Sequence, residues 1–203
     1  MKKIIFLCLS MLLLVGLAAC SGDADLSTAP VSSGESESSA AASDAGGSAA
    51  VVYFSATGNT EQVAQRLAEK TSADLYEITP AEPYTDADLD YNADDCRANQ
   101  EQNDPDARPA IAGETLDLSG YDTIYLGFPI WWGDMPKILY TFCDSYDLSG
   151  KTVAPFCTSG GSGISQAMQR LETLEPDATL SDGLRTSPES ADTDLDEWLA
   201  AIA

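Results

Sequence analysis

The chain has 203 residues, of which 33 are acidic, 10 are basic and none is histidine, so its formal net charge is −23 at pH 7. This acidic excess argues against nucleic acid as a partner, because phosphate contacts need Lys and Arg. It serves either solubility alone or the docking of a basic partner. The lack of histidine excludes Ser-His-Asp and Cys-His catalysis and histidine metal ligands, and we predict no metal site.

Residues 1–19 have the layout of a signal peptide. A basic start at residues 2–3 precedes an apolar run over residues 4–15, which is shorter than the roughly 20 residues that span a bilayer. The ending Leu-Ala-Ala-Cys at residues 17–20 resembles the lipobox of bacterial lipoproteins. That resemblance implies cleavage before Cys20, diacylglycerol on its sulfur and an extracytoplasmic protein that is lipid-anchored to the cell membrane. A plain secretory signal or an uncleaved anchor is the alternative.

Residues 20–49 comprise Cys20 and a run of Ser, Ala, Gly and acidic residues without any aromatic side chain. Such a composition buries too little apolar surface to offset its ordering entropy, so we expect a disordered tether with a root-mean-square span of about 30 Å. Residues 50–203 are long enough for one domain with a full core. Without residues 1–19 the chain has 8 basic and 33 acidic residues, a net charge of −25.

Short apolar strands alternate with amphipathic helices across residues 50–203. The predicted strands cover residues 51–54, 74–78, 123–128, 151–157 and 179–184. Helices are predicted over residues 61–70, after Asp134 as its cap, over residues 164–174 and over residues 192–202. This order favours a parallel sheet with helices on both faces, whereas residues 84–112 give no clear element. Cys143 and Cys157 are expected to be buried thiols, and a disulfide that includes one of them or Cys96 stays open.

Three of the strands end in conspicuous loops, at residues 55–60, 129–134 and 158–163. In an open α/β sheet, ligands bind outside the carboxyl ends of the strands, so these loops could surround one ligand. The first loop offers hydroxyls and Gly58 directly before a helix, which suits a single phosphate. It lacks the Lys of a nucleoside-triphosphate loop. An ordinary strand-to-helix turn is the alternative reading.

The second and third loops suit a planar ring. At least one of Trp131 and Trp132 should be exposed, and an exposed indole can stack on a ring system. We expect one of them to stack and the other to fill the core; Trp131 is our choice for stacking, with Trp132 nearly as good. The Gly-rich and Ser-rich third loop has accessible N–H groups for the polar edge of a ring, although an ordinary helix start would look the same.

A family resemblance joins the three loops. Residues 55–60 (SATGNT) resemble the T/S-x-T-G-x-T phosphate signature of flavodoxins, and residues 127–132 (GFPIWW) and 158–163 (TSGGSG) resemble ring-binding loops of a flavodoxin-like branch in bacterial genomes. The likeness covers about residues 50–203. It implies a flavodoxin-like, doubly wound five-stranded parallel sheet of order 2-1-3-4-5 in three α/β/α layers, with bound FMN and electron transfer.

The resemblance also implies roles for particular residues. Phosphate binding is implied for Ser55, Thr57, Gly58, Asn59 and Thr60. Ring contacts are implied for Pro129, Ile130, Trp131 and Trp132, and contacts with the pyrimidine edge for Thr158, Ser159, Gly160 and Gly161. Unlike well-studied flavodoxins, the third loop has no aromatic residue, and the stretch 80–113 is longer than a simple crossover.

The leading hypothesis is an FMN-binding electron-transfer flavoprotein, tethered outside the cytoplasmic membrane, that serves as a carrier or as a reductase of a quinone or another acceptor. Its redox partner, protein or small acceptor, is not visible in the sequence, and no G-x-G-x-x-G segment for a nicotinamide cofactor follows a strand. One alternative is a lipoprotein that uses a flavodoxin-like fold for binding without redox work. A phosphate-ester-binding enzyme is a weaker third reading.

Overall fold

The computed structural model describes residues 48–203, so the predicted signal peptide, Cys20 and nearly all of the predicted tether lie outside the described residues. The strands are β1 (Ala49–Tyr53), β2 (Asp74–Glu77), β3 (Thr123–Pro129), β4 (Thr152–Thr158), β5 (Thr179–Leu180) and β6 (Leu184–Thr186). The helices are α1 (Asn59–Thr71), α2 (Arg97–Asn103), α3 (Lys137–Ser145), α4 (Ser165–Leu174) and α5 (Ala191–Ile202).

The strands form one parallel sheet in the order β2-β1-β3-β4-β5, which confirms the predicted topology. The fifth position holds two short strands instead of one, because β6 also pairs with β4 further along. Between them, the indole N–H of Trp198 donates to the Asp182 carbonyl at 2.7 Å. A Cβ at Gly183 would lie 2.8 Å from Met168 Sδ, so the chain packs tightly against α4 at this break.

The two faces of β1 contribute side chains to two separate hydrophobic cores, because successive strand residues point to opposite sides of the sheet. Val52 lies with the buried residues of α3 and α4. Val51 lies with those of α1 and α5, which pack on the other face. Helices therefore cover both faces, as the alternation of strands and helices predicts, and β1 is buried between them.

The unclear region after β2 is a long excursion over residues 80–111. It is closed at its base by an isolated antiparallel bridge between Pro80 and Ile111. Its short helix α2 is held by an ion pair at 2.6 Å between Arg97 Nε and Glu101 Oε1, and the Arg97 guanidinium lies 4.1 Å from the centre of the Tyr84 ring. The excursion is thus a structured arm, and it extends toward the carboxyl edge of the sheet.

Cys96, Cys143 and Cys157 are buried free thiols, so no disulfide forms among these three described cysteines. Burial raises the pKa of Cys157 to about 12, which keeps this thiol protonated at neutral pH. Within residues 48–203, no helix has the length and apolar character needed to cross a bilayer.

Candidate functional site

A cleft of about 470 Å³ lies at the carboxyl ends of β1, β3 and β4. Ten of the thirteen predicted cofactor-binding residues line it: Ser55, Thr57, Asn59, Thr60, Pro129, Ile130, Trp131, Thr158, Ser159 and Gly160. The other three, Gly58, Trp132 and Gly161, belong to the same loops but are not part of the lining. The three loops therefore meet at one site, as their positions at strand ends predict.

The first loop presents the start of α1 to the cleft. Gly58 is the N-cap of this helix and has a φ of 80°, a left-handed conformation that glycine adopts without strain. No side chain caps the helix. The backbone N–H groups of the first turn are therefore open to an anion, and the helix dipole favours negative charge at this end.

The hydroxyl of Thr60 joins the first loop to the third. Its Oγ1 lies 2.8 Å from Oγ1 of Thr158, and both side chains are buried. The second loop joins the same point, because the N–H of Ile130 donates to the Thr158 carbonyl at 3.0 Å. Thr158 thus fixes the three loops relative to one another and gives the cleft a preformed shape.

The two tryptophans differ sharply in exposure. Trp131 is 3% exposed and its ring packs edge-on against Phe54 and Tyr84, whereas Trp132 is 43% exposed. The reason is a tight turn, in which the N–H and carbonyl of Trp131 exchange hydrogen bonds with those of Asp134. The central residues Trp132 and Gly133 both have positive φ, as in a type I′ turn.

This turn reverses the expected arrangement of the pair. The sequence favours Trp131 for stacking, with Trp132 nearly as good, but the exposed ring is that of Trp132. Trp131 still lines the cleft from within the core. Which ring stacks on a ligand stays a prediction, and exposure favours Trp132.

An aromatic residue from the excursion, which no sequence motif indicates, also belongs to the cleft. Tyr91 lines the cleft, is 58% exposed and lies with its ring centre 4.9 Å from that of Trp132. It gives the cleft the second aromatic wall that the third loop lacks. A tyrosine within the polar, acidic stretch 84–112 is a signal that could have suggested it.

The loop before α5 supplies the remaining wall through Ser187, Pro188 and Glu189, for which no sequence motif gave a signal. The Arg66 side chain of α1 donates to the Pro188 carbonyl and anchors this loop. A hydrogen bond from the Ser187 side chain lowers the pKa of Glu189, so this exposed carboxylate is ionised at neutral pH.

No Lys or Arg is found among the described residues that line the cleft, and Glu189 is their one ionised side chain at neutral pH. Arg185 stands outside the lining and donates to the Ser159 carbonyl at 3.1 Å, which supports the third loop from behind. An anion in this cleft would therefore be held by N–H groups, hydroxyls and the α1 dipole rather than by a cation.

Asp134 does not cap the following helix, contrary to expectation. The N-cap of α3 is Pro136, and no side chain caps that helix. Asp134 is buried and turned toward α4, where its carboxylate lies 3.2 Å from Arg170 Nε. It also accepts hydrogen bonds from the Met135 N–H at 2.8 Å and the Tyr140 hydroxyl at 3.2 Å.

The fold and this cleft agree with the comparison to known proteins. A sequence profile described as flavodoxin matches residues 48–202, and the chain belongs to the flavodoxin family. Candidate flavoproteins from Bacteroides eggerthii and Bacteroides uniformis are 42% and 44% identical, with TM-scores of 0.69 and 0.70. The matches cover 76% and 74% of this chain and 99% of each of those chains.

A flavoprotein from Lactobacillus acidophilus, solved in complex with FMN, is 24% identical, and its TM-score is 0.61. The match covers 76% of this chain and 99% of that chain, and at this identity it supports the fold alone. Comparison with curated proteins gives no match.

Proposed function

We propose that this chain is a flavoprotein that binds FMN in the cleft at the carboxyl ends of β1, β3 and β4 and uses it to transfer electrons. The observation that carries the proposal is the uncapped start of α1, held by the Thr60–Thr158 hydroxyl pair beside an aromatic wall. A phosphate fits the first feature and a flat ring fits the second. The FMN in the Lactobacillus acidophilus relative is consistent with this assignment.

Each loop would serve a different part of the cofactor. The open N–H groups of α1, with the Thr57 hydroxyl, would hold the phosphate. Tyr91, whose ring packs against that of Trp132, would lie beside the flavin ring, and the backbone of Ser159 and Gly160 would hydrogen-bond its pyrimidine edge. The positive φ of Gly58 keeps the backbone close to the phosphate position.

FMN would supply the redox chemistry, and the protein would supply binding, orientation and electrostatics. This division suits a cleft in which Glu189 is the one ionised side chain among the described lining residues. The role is that of an electron carrier or of a reductase acting on a quinone or another acceptor. A net charge of −25 on the chain without residues 1–19 disfavours the negative charge that full reduction adds to the flavin.

We also propose that a lipid on Cys20 anchors the domain outside the cytoplasmic membrane. The support comes from the sequence of residues 1–20 and from the domain itself, whose first strand begins at Ala49. Fractionation of cells that express Cys20→Ser tests this, with the wild type as control. We expect release of the variant from the membrane fraction, and its retention there would contradict lipid anchoring at this cysteine.

Titration of the full-length protein with FMN and with riboflavin tests flavin binding. We expect shifted visible absorption and quenched fluorescence with FMN, and weaker binding of riboflavin because it lacks the phosphate. Thr57→Val should weaken FMN binding about tenfold, as expected for loss of a hydrogen bond to a charged group. It should leave riboflavin binding nearly unchanged.

Thr173→Val is the matched control, since it removes a hydroxyl from an exposed threonine of α4 that bonds only the Gln169 carbonyl among the described residues. Absence of FMN binding at micromolar concentration would contradict the proposal. Equal affinity for FMN and riboflavin would contradict the phosphate role of the first loop.

A further inference from the structure

A second cavity, of about 340 Å³, lies between the ends of α2, α3 and α4. The charged residues that line it differ from those of the flavin cleft. They are two cations, Lys137 and Arg170, and a single carboxylate, Asp134. A cavity with a positive balance is unusual on a chain whose formal net charge is −23. It therefore calls for a physical explanation.

Lys137 is the first residue of α3 and is 7% exposed. Its Nζ lies 4.2 Å from the centre of the Tyr140 ring, and among the described residues it has neither an ion pair nor a hydrogen bond. Burial lowers the pKa of this ammonium group; Asp134 opposes the shift, whereas nearby Arg108 and Arg170 add to it. A buried cation at a helix N-terminus also opposes the helix dipole, so this position costs stability.

The carboxylate of Asp134 does not neutralise the cavity. It already accepts the Met135 N–H and the Tyr140 hydroxyl, and its ion pair with Arg170 uses only Nε of the guanidinium. The Arg170 side chain is 54% exposed. Its remaining N–H groups have no partner among the described residues, so the guanidinium is fixed at one edge and available at the other.

Two further features of the cavity indicate which groups a ligand would carry besides its negative charge. Trp132, 43% exposed, lines this cavity and offers an aromatic surface. Gln102 also lines it; its Nε2 donates to the Trp131 carbonyl at 3.0 Å, whereas its buried Oε1 has no donor among the described residues. A buried acceptor without a donor is costly, and a ligand hydroxyl would relieve that cost.

We propose that this second cavity binds a small hydroxylated aromatic carboxylate, with the carboxylate at Lys137 and Arg170, the ring on Trp132 and the hydroxyl at Gln102. This site goes beyond the proposed flavin site and does not depend on it. The two share a wall, because Trp132 also contacts Tyr91 of the flavin cleft. A ligand here would lie behind the aromatic wall of that cleft.

Calorimetric titration of the full-length protein with sodium 4-hydroxybenzoate tests the proposal. We expect saturable one-to-one binding, with about tenfold weaker affinity for Lys137→Gln and for Arg170→Gln. The neutral 4-hydroxybenzamide should bind much more weakly than the carboxylate. Lys70→Gln is the matched control, since it removes the same charge from α1, where Lys70 pairs with Asp196 at 2.8 Å.

Urea unfolding of the same variants separates ligand binding from folding. Lys137→Gln should be at least as stable as the wild type, because it removes a buried cation, while it loses affinity for the carboxylate. Equal binding of the carboxylate and the amide would overturn the proposal. So would unchanged affinity in both site variants, absence of binding up to about 10 mM, or binding of inorganic phosphate but not of the carboxylate.

Discussion

The hydroxyl pair of Thr60 and Thr158 gives a sharp test of how the cleft is held together. Thr60→Val keeps the shape of the side chain but removes the partner of a buried hydroxyl that lies 2.8 Å away. Thr158 Oγ1 then has no partner among the described residues. A buried polar group left unpaired costs about 1 to 3 kcal/mol, so each single variant should lose that much free energy of unfolding.

The double variant, with Val at both positions, should be little worse than either single variant, because no unpaired hydroxyl remains. The coupling energy should therefore be about 1 kcal/mol or more, well above the roughly 0.5 kcal/mol within which independent sites add. Urea unfolding of the flavin-free protein, followed by circular dichroism, measures all four states of the cycle. The measurement needs no ligand, so it tests the preformed cleft apart from its function.

Thr71→Val is the matched control in the same helix. Its hydroxyl donates to the Leu67 carbonyl within α1 at 2.7 Å and has no hydrogen bond to the third loop among the described residues. Combined with Thr158→Val, it should give additive losses. Additive losses for Thr60→Val and Thr158→Val as well would refute the view that this pair ties the first loop to the third.

Four further measurements follow from the same geometry. The affinity for FMN should not fall as the NaCl concentration is raised, because the described lining of the cleft has no Lys or Arg whose attraction to the phosphate salt could screen. A steep loss of affinity with salt in fluorescence titrations would contradict this. The potential for the second electron, measured by spectroelectrochemistry, should lie below that of free FMN, and a value at or above it would show that the acidic charge does not act on the flavin. Gly127→Ala should lower the free energy of unfolding in urea by about 1 to 3 kcal/mol, because its Cβ would lie 2.7 and 2.8 Å from ring atoms of Phe156. Gly120→Ala is the control and should leave it nearly unchanged, because a Cβ there would meet open space. Burial raises the pKa of Glu175, so its charge destabilises the fold at pH 7. Glu175→Gln should therefore have a higher free energy of unfolding at pH 7, and this gain should shrink as the pH falls toward 4.5. A gain that does not depend on pH would show that the charge of Glu175 is not its cause.

Much of the fold could be predicted because its signals are local. The buried strand at residues 51–54 and the apolar stripe of the helix after it need no knowledge of the rest of the chain. The cleft followed from topology, since the carboxyl ends of parallel strands meet at one edge. The loops at residues 55–60 and 158–163 therefore come together although they lie far apart in sequence.

The features that could not be predicted depend on distant contacts. The exposure of Trp132 is set by a turn with two positive φ values, and the Gln102 side chain from α2 holds the Trp131 carbonyl beside that turn. Tyr91 reaches the cleft only because the excursion folds back over the sheet edge. Asp134 does not cap α3 because its buried carboxylate accepts a hydrogen bond from Arg170 of α4, which lies 36 residues away in sequence.

The position of FMN in a crystal structure of the protein grown with this cofactor tests whether the cleft at the carboxyl ends of β1, β3 and β4 is the flavin site. We expect the phosphate within hydrogen-bond distance of the backbone N–H groups at the start of α1, with the ring beside Trp132 and Tyr91. FMN bound elsewhere on the molecule, or its phosphate remote from residues 57–60, would rule out the phosphate site at the start of α1.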